Sequence, residues 1–332
     1  MAPDADAGRA ANADPFAPLT SEHLDVGDGH EIYVESVGHP DGIAAVYLHG
    51  GPGSGCQPDH RRLFDPQRFH TVLFDQRGAG RSKPKGFREA NTTAHLIADM
   101  ETIRKKFGFA KWLVVGGSWG ATLALAYAQA HPDRVSGIVL RATFLGTREE
   151  LDGAFLDVLP RHYPGLHEDF LGALPAEERG DPLPNYYRRI LDADAAIHTP
   201  AARAWGGTES ILSEHAPKRT RLDMAELTNT TRPMPATPFM EAHYFANDCF
   251  MRPGQLLAEA ARLNGIPGII VQGRFDFLCP PSTSHALAAV WTNAEIRIVE
   301  GAGHSLYDPG VRDAVMKAIA DLASSVGRIS AA

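Results

Sequence analysis

The stretch Gly116-Gly117-Ser118-Trp119-Gly120 constrains this chain more than any other. It follows the apolar run Trp112-Leu113-Val114-Val115, which is short, β-rich and bounded by glycine, and so reads as a buried strand. It precedes Ala121-Thr122-Leu123-Ala124-Leu125-Ala126-Tyr127-Ala128, which reads as a helix. A serine at that junction sits on a sharp turn whose flanking positions must be small, because a side chain at Gly116 or Gly120 would meet the neighbouring strand or helix. The helix behind it offers unpaired backbone N–H groups and a positive dipole end, both suited to negative charge developing on a carbonyl oxygen. The pattern therefore describes a nucleophile mounted on a strand–turn–helix unit.

Two further segments lie downstream in the order Ser, acid, His that an α/β-hydrolase triad requires. Ile269-Ile270-Val271 reads as a buried strand that opens into Gln272-Gly273-Arg274-Phe275-Asp276. Ile296-Arg297-Ile298-Val299 reads as another, followed by Glu300-Gly301-Ala302-Gly303-His304. Asp276 and His304 thus fall on loops at strand ends. In that arrangement His304 takes the Ser118 hydroxyl proton and later returns it to the leaving group, while Asp276 fixes the imidazole tautomer. A fourth segment, Val46-Tyr47-Leu48-His49-Gly50-Gly51-Pro52-Gly53, runs from a strand into a glycine-rich loop and reads as the oxyanion loop. The Gly51 and Trp119 backbone N–H groups are the expected donors. A phosphate cradle is not supported, since the lysine of G-x-x-x-x-G-K-[ST] is missing.

These motifs, together with Asp75-Gln76-Arg77-Gly78-Ala79-Gly80-Arg81-Ser82, make the chain resemble the proline iminopeptidase (prolyl aminopeptidase) family of α/β-hydrolases. Read by itself, the Asp75–Ser82 stretch is a charged, glycine-rich turn that buttresses the oxyanion loop through salt bridges. The resemblance implies a mostly parallel central sheet flanked by helices, with an inserted, mainly helical cap. It also implies a serine aminopeptidase that releases an N-terminal residue, preferentially proline, from short peptides through an acyl-enzyme, without cofactor or metal. An esterase or amidase acting on another small acyl substrate is the alternative on the same scaffold.

More residues separate the strand at 137–140 from the one near Ile269 than a crossover helix needs, which places the cap at 143–250 and the core at 21–142 and 251–332. Residues 143–250 hold 17 acidic and 10 basic side chains, so an acidic lid favouring a cationic substrate is expected. In the resembling family a pair of cap glutamates holds the substrate's free amino group. The corresponding segments are Ala201-Ala202-Arg203-Ala204-Trp205-Gly206-Gly207-Thr208-Glu209 and Glu241-Ala242-His243-Tyr244-Phe245, which nominate Glu209 and Glu241. Thr208 stands where the family pattern has a second tryptophan, which removes apolar wall or packing area and implies a looser or reshaped pocket. Phe144 and Tyr244 are candidate pocket walls.

Residues 1–20 are acidic and alanine-rich at their start, without a basic region or apolar run, and read as a disordered tail and not a signal peptide. No run reaches the length of a membrane span. A net charge of −8 without basic runs argues against nucleic acid and anionic membrane as partners. The odd set Cys56, Cys249 and Cys279, far apart, points to free thiols in a reducing compartment, hence a cytoplasmic protein. Turns at Gly27-Asp28-Gly29 and Pro40-Asp41-Gly42 predict a β-hairpin start to the sheet, Asn91–Phe107 a helix, and Pro309–Val326 the closing helix. The sequence leaves the oligomeric state open.

Overall fold

The computed structural model describes residues 14–229 and 231–329, the last four of these by backbone only. Much of the expected tail falls outside them, but its end is corrected. The Leu19 N–H donates to the Ser36 carbonyl (2.7 Å) and Thr20 opens the first strand, so residues 19 and 20 belong to the sheet. Eight strands follow in chain order: β1 (Thr20–Asp25), β2 (Glu31–Gly38), β3 (Ile43–Leu48), β4 (Phe69–Phe74), β5 (Trp112–Ser118), β6 (Val135–Thr143), β7 (Gly268–Gly273) and β8 (Ala294–Val299). They form one sheet in the order β1-β2-β4-β3-β5-β6-β7-β8. The pairs β1–β2 and β2–β4 are antiparallel and all others parallel.

The turn at Gly27–Gly29 closes the hairpin expected between β1 and β2. The turn at Pro40–Gly42 does not close a second one. Instead β2 pairs with β4, Val34 opposite Phe74, and β3 lies in parallel between β4 and β5. Ile43–Leu48 is apolar on both faces, and only an interior place in the sheet covers both.

Helices cover the two faces. On one side, α1 (Thr93–Lys106), capped by the Thr92 hydroxyl, and α2 (Trp119–Ala130) pack over Trp112, Val114 and Leu140. Every α2 residue from Trp119 to Gln129 is buried, and so this helix is apolar all round. Between β6 and β7 the chain leaves the sheet through α3 (Pro164–Gly172), α4 (Pro182–Ile190), α5 (Ala195–Ser213) and α6 (Thr237–Phe245). After β7 come α7 (Pro281–Val290) and α8 (Val311–Ile329). The last packs Val315, Ile319 and Leu322 onto the opposite face of the sheet and starts two residues later than the sequence suggests.

Helices α3 to α6 share an aromatic centre. The Trp205 and Phe155 rings stack at 4.4 Å, Phe170 and Tyr186 at 4.3 Å. That packing explains why α5 holds together although it contains Pro200, Gly206 and Gly207, poor residues for a helix interior. The layer meets the body of the fold through Tyr244, whose ring lies 4.6 Å from Trp119 and whose hydroxyl donates to the Asn91 side chain at 2.8 Å.

Because Phe170 is fully buried in this stack, Phe170→Ala is expected to cost about 3–5 kcal/mol of stability. Urea unfolding measures it, and an unchanged midpoint would show that the aromatic centre does not hold the layer.

Candidate active site

Four loops at the carboxyl ends of parallel strands converge, those after β3, β5, β7 and β8. They open on a cavity of about 1280 Å³ whose lining includes Gly51, Ser118, His304, Glu209 and Glu241. This is where ligands bind in sheets of this kind.

Ser118 ends β5 and precedes α2 with φ 57° and ψ −126°, a conformation that L-residues rarely adopt and that costs on the order of 1–3 kcal/mol. Its neighbours explain how the turn closes. A Cβ at Gly116 would overlap the Gly120 carbonyl, and one at Gly120 would overlap the Leu48 carbonyl. The glycines let β3, β5 and α2 approach each other at backbone distance.

Asp276 is buried, and its carboxylate takes hydrogen bonds from the N–H groups of Leu278 (3.1 Å) and Cys279 (2.8 Å). Both of its oxygens lie 3.0 Å from His304 Nδ1. An ionised carboxylate only accepts, so Nδ1 carries the proton and Nε2 is left as the basic nitrogen. The acid and histidine loops are locked together: Phe275 N–H donates to the Ala302 carbonyl at 2.9 Å, and a Cβ at Gly273 would overlap the Gly303 carbonyl.

Gly51 lines the cavity with φ 105°. Trp119 is the first residue of α2, where a backbone N–H has no intrahelical acceptor. A residue that sequence reasoning missed ties their two loops together. Gln76 donates from its side-chain amide to the His49 carbonyl (3.0 Å) and accepts from the Trp119 indole N–H (2.8 Å). Its backbone N–H donates to His49 Nε2 at 3.0 Å, which puts the imidazole proton on Nδ1, facing the Gly50 carbonyl at 2.9 Å. Burial lowers the His49 pKa and keeps the ring neutral.

Salt bridges do hold the turn that follows, as expected. Burial opposes the charge of Asp75, yet the Arg81 guanidinium and the Cys56 N–H hold its pKa below the ordinary value. The sequence signals the Gln76 bridge only by an uncharged amide between two charged residues, Asp75 and Arg77. Arg141 was missed as well. It is a charged residue in the apolar strand β6, lines the cavity, and donates to the His304 carbonyl.

Glu209, on α5, and Glu241, on α6, come within hydrogen-bonding reach of each other. Two carboxyls can share such a bond only if one holds a proton. Burial pushes both pKa values up, and for Glu241 the neighbouring Glu209 charge pushes in the same direction. The Trp205 indole N–H donates to Glu241 at 2.9 Å. The arrangement offers a carboxyl pair, Glu241 buried and Glu209 half-buried, to a cation entering the cavity that holds Ser118.

Two expectations are corrected. Phe144 and Tyr244 do not line the cavity: Phe144 packs edge-on against Phe245 at 5.8 Å, and Tyr244 is spent on Trp119 and Asn91. Large aromatics gain most from full burial, and these two are buried. The lid is not acidic where it faces the cavity. Its lining from 143–250 has Glu209, Glu214, Asp223, Glu226 and Glu241 against Arg203, Lys218, Arg219, Arg221 and Arg232, so the acidic excess lies on other faces. Thr208 does not form a cavity wall; it is fully buried and its hydroxyl has no hydrogen-bond partner.

Asp276, Cys279 and His304 are the one cluster of metal-ligating types found among the described residues, with donor atoms within 4.8 Å of one another. Burial pushes the Cys279 thiol well up, so it keeps its proton, and His304 Nδ1 is committed to Asp276.

The fold and the converging loops define an α/β-hydrolase with a serine, histidine and aspartate at its centre, and the alpha/beta hydrolase fold family model matches residues 46–311. An alpha/beta fold family hydrolase from Bacillus anthracis has the same fold, with a TM-score of 0.60 at 16% identity over 91% of this chain and 99% of that one. The chain is 42% identical to a proline iminopeptidase of Arabidopsis thaliana, over 90% of this chain and 78% of the relative. It is 41% identical to one of Xylella fastidiosa, over 90% and 95% respectively. The chain belongs to the proline iminopeptidase family.

The carboxyl pair has a consequence for stability. A carboxyl whose pKa is raised above its unfolded value binds its proton more tightly in the folded state, so stability falls as pH rises from the ordinary value of 4.5 towards the raised one. Glu241→Gln keeps an acceptor for Trp205 and removes that loss. Its thermal midpoint is expected to match the wild type near pH 4.5 and to exceed it by a margin that widens towards pH 8 in differential scanning calorimetry. A margin that stays constant with pH would contradict the shared proton.

Proposed function

We propose that the protein is a serine aminopeptidase that releases an N-terminal residue, preferentially proline, from short peptides. The observation that carries the reading is the pairing of Glu241, which is buried, with the half-buried Glu209 in the same cavity as Ser118 and His304. Membership of the proline iminopeptidase family supports it.

The substrate ammonium displaces the proton shared by the two carboxyls and forms charge-assisted bonds with them, which sets the register so that the first peptide bond meets Ser118. His304 Nε2 takes the Ser118 hydroxyl proton as the oxygen attacks the carbonyl carbon. Asp276 holds the imidazolium, and the N–H groups of Gly51 and Trp119 receive the oxyanion. The intermediate collapses as His304 protonates the leaving amine, giving an acyl-enzyme. Water activated by His304 then attacks the ester, releases the amino acid and restores Ser118.

The segment 143–250 acts in this reading as a cap domain that closes over the core at 21–142 and 251–332. The three cysteines are buried and unpaired, which supports a reducing, cytoplasmic setting. No helix among the described residues is long and apolar enough to cross a membrane.

Turnover of a prolyl anilide against its N-acetyl counterpart tests the amine site. Loss of a charge-assisted contact worth about 1.5–3 kcal/mol is expected to lower kcat/KM by about 10- to 100-fold for the blocked substrate. Equal rates would favour the general amidase or esterase. Asp276→Asn is expected to lower kcat by about 10⁴-fold, because it stabilises the wrong imidazole tautomer. A wild-type kcat in that variant would remove Asp276 from the mechanism.

A further inference from the structure

The catalytic cavity is electrically polarised along its depth. At one end stand Glu209 and Glu241, whose pKa values burial pushes up. At the exposed rim stand Lys85, Lys218, Arg219 and Arg232, and no carboxylate pairs with any of the four among the described residues. Against them the rim has the exposed carboxylates Glu214, Asp223 and Glu226.

The rim thus holds four exposed cations against three exposed carboxylates, and two further guanidiniums stand in the wall. Arg221 is held by a bidentate pair to Asp169, itself outside the lining. Arg203 donates to the carbonyls of Asn229 and Arg232, both at 2.7 Å, which fixes the strand of chain that carries Arg232 without neutralising any charge. Its Nε is buried and has no hydrogen-bond acceptor.

We infer that this rim is a subsite for the carboxylate of the substrate's leaving portion, so that the enzyme is matched to short peptides carrying both a free amino terminus and a free carboxyl terminus. The inference rests on the aminopeptidase reading above. With the ammonium at the two carboxyls and the first carbonyl at Ser118, the rest of the peptide runs along the remaining lining of the cavity, which includes these cations. A terminal carboxylate is ionised at neutral pH, and each residue of an extended peptide advances it by about 3.3–3.6 Å. The cavity volume of about 1280 Å³ exceeds the roughly 300–1,000 Å³ typical of small-ligand sites, which leaves room beyond the scissile bond for a residue or two. Rim charges in solvent act weakly one by one and through a salt-sensitive field together.

The experiment compares Pro-Gly-Gly with its C-terminal amide. In the wild type at low ionic strength, kcat/KM for the free acid is expected to exceed that for the amide about fivefold. The ratio is expected to fall to about one in roughly 0.5 M NaCl and in the variant Lys218→Glu/Arg219→Glu/Arg232→Glu. Taking a ratio within one preparation cancels any general loss of folded enzyme. Equal rates for acid and amide in the wild type, or a ratio that the triple variant leaves untouched, would overturn the subsite. Calorimetric affinities of the two peptides for Ser118→Ala give the same ratio without turnover. If prolyl anilide is not cleaved, the aminopeptidase reading falls while that affinity ratio still decides the subsite.

Discussion

Everything in this molecule that bears on chemistry depends on the strained turn at Ser118. The backbone there is held in a conformation that the serine would leave if it were free to do so, and it is held by contact. Gly116 lies against the Gly120 carbonyl, Gly120 against the Leu48 carbonyl, and Gly117 against the Arg141 guanidinium. Those contacts require β3, β5 and β6 to be in register and α2 to be seated, and α2 is seated because it is buried on every side. Burial of a helix this apolar contributes far more than the about 1–3 kcal/mol of local strain. The sheet thus stabilises a geometry that the local sequence would not adopt alone.

The remaining groups are attached to that turn by short polar links. Gln76 connects the loop after β3 to Trp119, so the two expected oxyanion donors move as one unit. The tight approach of Gly273 to Gly303 fixes the acid and base loops to each other, and Arg141 reaches from β6 to the carbonyl of His304. Helix α6 completes the set from above. It carries Glu241 into the cavity lining and rests on Trp119 through Tyr244, so the helix that holds Glu241 and the turn at Ser118 share a tryptophan.

Much of this was legible in the residues. Strands that end in glycine-rich loops declare themselves locally, and Ser118, Asp276, His304 and Gly51 were found because each sits at such an end. What was not legible needed the third dimension. The Pro40–Gly42 turn looks like a hairpin turn, and only the two-sided apolarity of β3 says that it cannot be one. Phe144 and Tyr244 were offered as pocket walls because aromatics suit both walls and cores, and composition does not choose between them. Net charge over 143–250 points the wrong way, because a sum over a segment does not say which side chains face the cavity. Gln76 was hidden among charged neighbours that seemed better suited to the work.

One cavity holds the Glu209–Glu241 pair, Ser118 and His304, and exposed cations in its lining. The central claim is that Ser118 is the reactive group and that a free amino terminus reaches it. Labelling with a fluorophosphonate, followed by peptide mass spectrometry, tests both parts at once. The expected result is a single adduct on Ser118, formed more slowly in the presence of a free prolyl peptide and at an unchanged rate in the presence of its N-acetyl form. An adduct elsewhere, no adduct, or equal protection by both peptides would contradict it.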